Sequence, residues 1–157
     1  MEYYIDMCAR NKDKKKVTGF TDCIDEVQSL KEKLLKKALE KNPSVLEKGL
    51  KLVRGGRQFP TDVSNIHLLM LDKNRHYVVV ELKKGKTEDG VVGQTLGYMG
   101  WVRENMSKTQ PVRGIIVVAK GEITLKLKMA IIGLQHCQDL IQLKEIPIHI
   151  GDLKDHN

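Results

Sequence analysis

The chain has 157 residues, 41% of them hydrophobic and 30% charged, with a formal net charge of +7. That length suits one domain with its own core, and the absence of any run of 18 apolar residues excludes a membrane-spanning helix. Cys8, Cys23 and Cys137 are widely spaced and unpaired in pattern, which excludes a disulfide frame and fits reduced thiols in a soluble cytoplasmic protein. Aromatic residues make up only 4%, so the core must be built from Leu, Ile and Val. The positive balance favours a polyanionic partner; a solvated, lysine-rich surface accounts for it equally well.

Residues 1–20 contain the charge run "ARNKDKKKVTG" and read as an arm ahead of a single domain over 21–157. From Asp22 to about Lys41 apolar residues fall at Ile24, Val27, Leu30, Leu34 and Ala38, the spacing of an amphipathic helix. Asn42-Pro43 stops it, and Ser44 to Glu47 has the form of a capping box for a further short turn. "GLKLVRGGRQF" predicts a strand with a Gly-Gly break. "NIHLLML" and "YVVVELK", joined by "DKNRH", predict a central hairpin. A second helix is expected over Val91 to Glu104, with Gly93, Gly97 and Gly100 on one face as the mark of a close backbone approach. "VRGIIVVA" predicts a buried strand and "ITLKLKMAIIGLQH" a third helix. "DLIQL" with "IPIHI" predict closing strands. The order αβββαβ with an αβ extension is that of an α/β domain, its mixed central sheet flanked by helices.

The chemistry gathers in the hairpin. Glu81 and Lys83 lie two residues apart and so on one face of a strand. With Asn74 at the turn centre, Leu71 opposes Tyr77, Leu69 opposes Val79 and His67 opposes Glu81, with directly opposed Cβ atoms about 5 Å apart. Imidazole, carboxylate and ammonium then share one end of the sheet, provided the register does not slip. Gln94, Tyr98 and Trp101 share a helix face, and Gln94, near the helix start, can reach the same end. Ordinary packing is the preferred reading of Tyr98 and Trp101. Arg54, Arg57, Lys84 and Lys86 flank this end as candidate phosphate contacts, each also readable as a solvated charge.

The run from Leu46 to Val102, "LEKGLKLVRGGRQFPTDVSNIHLLMLDKNRHYVVVELKKGKTEDGVVGQTLGYMGWV", resembles the nuclease domain of NucS-type endonucleases, within the PD-(D/E)XK, restriction-endonuclease-like superfamily. The resemblance extends over roughly residues 26–120. It implies a restriction-endonuclease-like fold and a divalent-metal site, Mg or Mn, that cleaves DNA. Glu81 and Lys83 match the ExK pair, Gln94 the helix glutamine, and Glu32, with Glu26 as competitor, the first-helix glutamate. The second-strand acid falls at His67, and the glycine before it at Ser64. Imidazole in place of a carboxylate removes a charge and suits softer metals. Three readings of His67 stand: a ligand in a metal-shifted site, a site completed by Asp62, or a site that no longer cuts, in which His67 is a hydrogen-bonded partner of Glu81. Asp72 points by parity to the other face.

The resulting expectation is a metal-dependent DNA endonuclease, with catalytic residues Glu81, Lys83, Gln94 and His67 and metal ligands Glu81, His67 and Glu32. The alternatives are a nuclease-fold DNA-binding module without catalysis, and a scaffold whose basic surface is incidental. Branched, mismatched and single-stranded DNA are not distinguished as substrates. A homodimer is permitted.

Overall fold

The computed structural model describes residues 20–83, 85–134 and 140–147. Lys84 and nearly all of the N-terminal arm lie outside them, as does Ile148–Ile150, the end of the expected "IPIHI" strand. The elements run α1 (Phe20–Lys41), a 3-10 turn (Pro43–Val45), β1 (Lys51–Pro60), β2 (Asn65–Leu71), β3 (Tyr77–Lys83), α2 (Gly90–Asn105), β4 (Arg113–Ala119), α3 (Leu125–Leu134) and β5 (Ile141–Ile146). The five strands stand in chain order in one mixed sheet. β1–β2 and β2–β3 are antiparallel, whereas β3–β4 and β4–β5 are parallel. The two closing segments of the sequence reading contribute a single described strand, β5.

The parallel strands demand cover on both faces, and their continuous apolar runs supply it. Leu69, Val79, Ile116 and Val118 pack with Val92, Tyr98, Met99 and Val102 of α2 and Leu127 and Ile131 of α3. On the other face Leu68, Met70, Val78, Val80, Ile115 and Val117 pack against Leu35 and Leu39 of α1. The core-facing residues of α1 are therefore one step out of phase with the expected Leu30–Leu34–Ala38 row. Leu30 is 38% exposed, and Ala38 is exposed as well. The side chains of Ile24 and Val27 lie outside the described set.

The β2–β3 register is Leu71↔Tyr77, Leu69↔Val79 and Leu68↔Val80, centred on Asn74. The loop closes through Arg75 N–H to Asp72 O (2.9 Å) and Asp72 N–H to His76 O (3.0 Å), with Arg75 left-handed at φ 65°. This is a three-residue hairpin connection ending in a left-handed residue. Asp72 Oδ1 accepts the amides of Asn74 (2.8 Å) and His76 (2.9 Å), fixing the turn.

Two expectations are overturned. The capping box does not form: Ser44 lies inside the 3-10 turn and not at its N-cap, which is Asn42, and the Glu47 carboxylate instead takes both guanidinium arms of Arg113, at 2.8 and 2.6 Å. An arginine with two parallel donors is the stronger claimant on that carboxylate. The glycine column of α2 marks no close approach either, because a Cβ at Gly93, Gly97 or Gly100 would meet nothing within 4 Å. The tight contact is at Gly114 of β4, where a Cβ would stand 2.7 Å from Thr95 Cγ2 and 3.0 Å from Met99 Sδ. In β1 the Gly-Gly break is a bulge within one strand. The pairing with β2 shifts between Leu52 and Arg57, Gly55 is left-handed at φ +71°, and a Cβ on Gly56 would stand 2.4 Å from Leu69 O.

Candidate active site

Arg57↔Leu68 and Phe59↔Ile66 bracket Gln58 and His67 in the β1–β2 ladder. Leu68 belongs to the α1-side layer, while Phe59 and Ile66 pack on the α2 side. Strict alternation therefore fails in β2 at this level, where Gln58 in β1 is left-handed at φ 44°. The irregularity frees His67 to reach between the layers.

Its imidazole replaces a rung of the ladder. The regular β2–β3 pairs end at Leu68↔Val80, and beyond them Leu82 N–H donates to His67 Nδ1 at 3.0 Å. An Nδ1 that accepts carries no proton, so the ring proton sits on Nε2, which is left as the donor nitrogen. Nε2 lies 3.8 Å from Glu32 Oε1 of α1, and Nδ1 lies 3.4 Å from Glu81 Oε1.

Glu81 is 1% exposed. Its Oε1 stands 3.1 Å from Lys83 Nζ, while Oε2 is buried without a hydrogen-bond partner. Such an orphaned carboxylate oxygen costs about 1–3 kcal/mol or more unless a ligand meets it. Lys83 Nζ also donates to Gln94 Oε1 at 2.7 Å, and Gln94 Nε2 donates to Tyr98 Oη at 2.9 Å. A continuous polar chain thus runs Glu81–Lys83–Gln94–Tyr98. The Lys83 ammonium thus donates to Gln94 and is paired with the Glu81 carboxylate.

The structure therefore brings Glu32, His67, Glu81, Lys83 and Gln94 to one sheet end. Asp62 is held elsewhere, as its Oδ2 accepts Trp101 Nε1–H at 3.1 Å, and Trp101 in turn stacks edge-on against Phe59 at 6.2 Å. Asp72 belongs to the hairpin turn. Burial would raise its carboxyl pKa, but the His76 and Asn74 amides and then the Arg113 guanidinium outweigh burial and hold it below the usual range. Arg54 and Lys86 are exposed, and Arg57 pairs with Glu40 at 3.2 Å.

Sequence reading missed three features. Tyr98, taken as ordinary packing, is 3% exposed and fixes the Gln94 amide; its spacing from Gln94 was the available signal. The Leu82–His67 bond has no sequence signature. Lys36, one turn beyond Glu32, lies in the field of Glu40, Arg57, Glu32 and Glu81, and burial first of all lowers its pKa.

Among the described residues, no three His, Cys, Asp or Glu side chains group tightly enough to enclose a metal ion. Mg²⁺ asks for less: one or two carboxylates, with water and substrate phosphate completing its octahedron. The orphaned Glu81 Oε2 fits that need, with the Glu32 carboxylate, across the His67 ring from Glu81, as the second candidate carboxylate.

Residues 31–132 match the family model described as endonuclease NucS C-terminal domain. The fold is similar to a repair endonuclease from Pyrococcus abyssi, at 25% identity and TM-score 0.61, covering 74% of this chain and 46% of that one. It is also similar to EndoMS in a structure described as a complex with dsDNA, at 27% identity and TM-score 0.59, covering 75% and 46%. The chain thus spans about half the length of these relatives. Among the described residues, no helix is long and apolar enough to cross a membrane.

Proposed function

The chain belongs to the endonuclease NucS C-terminal domain family, and from that premise we propose that it is a metal-dependent DNA endonuclease domain acting through Glu81 and Lys83. The observation that carries the reading is the buried Glu81 carboxylate, with Oε2 unpartnered and Oε1 held 3.1 Å from the Lys83 ammonium. Burying that charge is costly unless it is used. The DNA-bound relative supports the substrate class.

Glu81 and Glu32 would hold Mg²⁺ or Mn²⁺, with water and substrate phosphate filling the remaining positions. His67, its Nδ1 lone pair taken by Leu82 N–H and its proton on Nε2, has no lone pair left for the ion. Bound there, the ion supplies Lewis-acid polarisation of the scissile phosphate and a water of lowered pKa. Lys83 would direct its remaining N–H as a hydrogen bond to a phosphate oxygen, offsetting charge as the water oxygen bonds to phosphorus and gives up its proton to solvent, while the P–O ester bond breaks and the departing oxygen takes a proton from solvent. Gln94, anchored by Tyr98, holds the ammonium at that position. Arg54, Arg57, Lys84 and Lys86 contact backbone phosphates.

The test is incubation of the wild type and of Glu81→Gln and Lys83→Ala variants with duplex, mismatched, branched and single-stranded DNA under Mg²⁺ and Mn²⁺. Cutting by the wild type is expected to drop by at least about 100-fold in Glu81→Gln, which loses the charge that holds the ion. Equal cutting by that variant, or no cutting with any metal, defeats the reading. One observation favours a binding module without catalysis: the family's second acid is replaced by His67, whose Nδ1 is taken by Leu82 N–H, while Asp62 is engaged by Trp101. Under that alternative, His67→Asp gains cutting that the wild type lacks.

A further inference from the structure

A cleft of about 820 Å³ runs between α1 and β1. Its α1 wall carries Ser29, Glu32, Lys33, Lys36, Lys37, Glu40 and Lys41, residues on one stripe of the helix. From Ser29 to Lys41 the stripe rises about 18 Å, or about five nucleotide steps of a DNA strand at 3.4 Å each. Arg57 and the left-handed Gln58 form the opposite wall, so the same backbone irregularity that frees His67 also shapes the cleft.

Lys33, Lys36, Lys37, Lys41 and Arg57 outnumber the two carboxylates lining the cleft, Glu32 and Glu40. Glu40 is committed to Arg57, at 3.2 Å but without a hydrogen-bond angle. Glu32 marks the other end, with its carboxylate 3.8 Å from His67 Nε2. The cleft therefore opens onto the candidate active site, and Lys36 stands where the two meet, within the field of Glu81.

The lysines are not explained by pairing along their own helix. Among the described residues the ion pairs include none to Lys33, Lys37 or Lys41. All three are exposed, whereas Lys36 is half-buried. A row of free ammonium groups facing a concave wall repels itself until an anion enters. A single small anion would neutralise one or two of them. A repeating polyanion neutralises the whole stripe and gains the counterions released.

We propose that this cleft is a track for a phosphodiester backbone, with Lys33, Lys37, Lys41 and Arg57 holding successive phosphates and Lys36 delivering the strand to Glu81 and Lys83. The proposal rests on the endonuclease reading for its destination but not for its binding chemistry. It also moves the main phosphate contacts from the β1 and β3 flanks to the first helix.

The test is fluorescence anisotropy of the full chain with fluorescein-labelled DNA, as a single strand and as a duplex of the same sequence, over a salt series. A Glu81→Gln background keeps the probe intact. A groove variant (Lys33→Ala, Lys37→Ala, Lys41→Ala) is compared with a control variant (Lys48→Ala, Lys73→Ala, Lys108→Ala) that removes three exposed lysines outside the cleft. Circular dichroism and melting check that each remains folded, and Lys→Gln versions of the groove set replace any that does not. The groove variant is expected to lose about 2–3 from the slope of log affinity against log salt, at roughly 0.7–0.9 per phosphate lost. The control is expected to keep its slope. Equal slopes for groove and control variants overturn the track, as does the absence of wild-type binding to either DNA at about 50 mM salt. A larger groove effect on one probe than on the other identifies the strand form the cleft accepts. Groove-dependent binding by a protein that cuts under no metal sinks the endonuclease reading and leaves the track standing. Cutting with groove-independent binding does the reverse.

Discussion

Gly114→Ala tests how α2 is seated, and with it the placement of Gln94. The added methyl would lie 2.7 Å from Thr95 Cγ2, 3.0 Å from Met99 Sδ and 3.4 Å from Ile141 Cγ1. Met99 can bend away at its flexible end. Thr95 cannot turn freely, because its Oγ1 bonds Val91 O at 2.8 Å and helical sterics limit its rotamers. The helix must therefore lift, at a cost of about 1–3 kcal/mol, the range for overpacking. With an m-value of about 2 kcal/mol/M, the urea midpoint falls by about 0.5–1.5 M. Thr95→Ser removes the offending methyl and keeps the hydroxyl, so Gly114→Ala in that background is expected to cost under about 1 kcal/mol. Lifting Thr95 also carries Gln94 away from Lys83, so activity should fall in the single variant and recover in the double. An equal stability cost in both backgrounds would show that Thr95 does not set the helix height.

Other consequences follow from particular contacts. Tyr98→Phe frees the Gln94 amide and should lower DNA-cleavage kcat by about 10-fold, the lower end for loss of a partner that orients a ligand, with KM nearly unchanged; an unaltered kcat in steady-state assays excludes that anchoring role. Glu47→Ala strips Arg113 of its two-armed partner and should cost about 1.5–3 kcal/mol in urea unfolding, whereas a loss within experimental error would make the bridge a surface ornament. Asp72 has a depressed carboxyl pKa, so its stabilisation is complete above the unfolded pKa of about 3.9 and is lost as pH falls towards the lower folded value. Asp72→Asn should therefore be less stable at neutral pH and flatten the acid limb of a midpoint-versus-pH curve; an unchanged limb places the acid sensitivity elsewhere.

Much of the fold could be read from residue order because its strands are strongly patterned. "NIHLLML" and "YVVVELK" are apolar on both faces, and the intervening "DKNRH" allows one short turn, so the register centred on Asn74 followed. α1 was harder. Its leucines offer two phases, Leu30–Leu34 and Leu35–Leu39, about 100° apart on the helix, and only the sheet decides between them. The glycines misled in a similar way: Gly93, Gly97 and Gly100 are periodic, yet the close approach falls at Gly114, whose neighbours come from α2 and β5. At the candidate site, the residues could be named from spacing and from the family pattern. What could not be read was the switch of faces around Gln58 and His67, a backbone event without a side-chain signature. The lysine row of α1 was visible as spacing, but not as the wall of a cleft, because the opposite wall comes from Arg57 and Gln58 of β1, which only the fold brings beside the helix.

The hydrogen bond from the Leu82 amide to an imidazole gives the protein a natural reporter. In amide exchange or nitrogen–proton NMR, that one proton senses the ring directly, whereas its neighbours in β3 sense only other peptides. Any phosphate or other anion that accepts from Nε2–H redistributes electron density across the ring and alters the strength of the bond at Nδ1. Occupancy of the pocket can thus be followed at a single backbone resonance, with no bulky reporter group added and no substrate turned over.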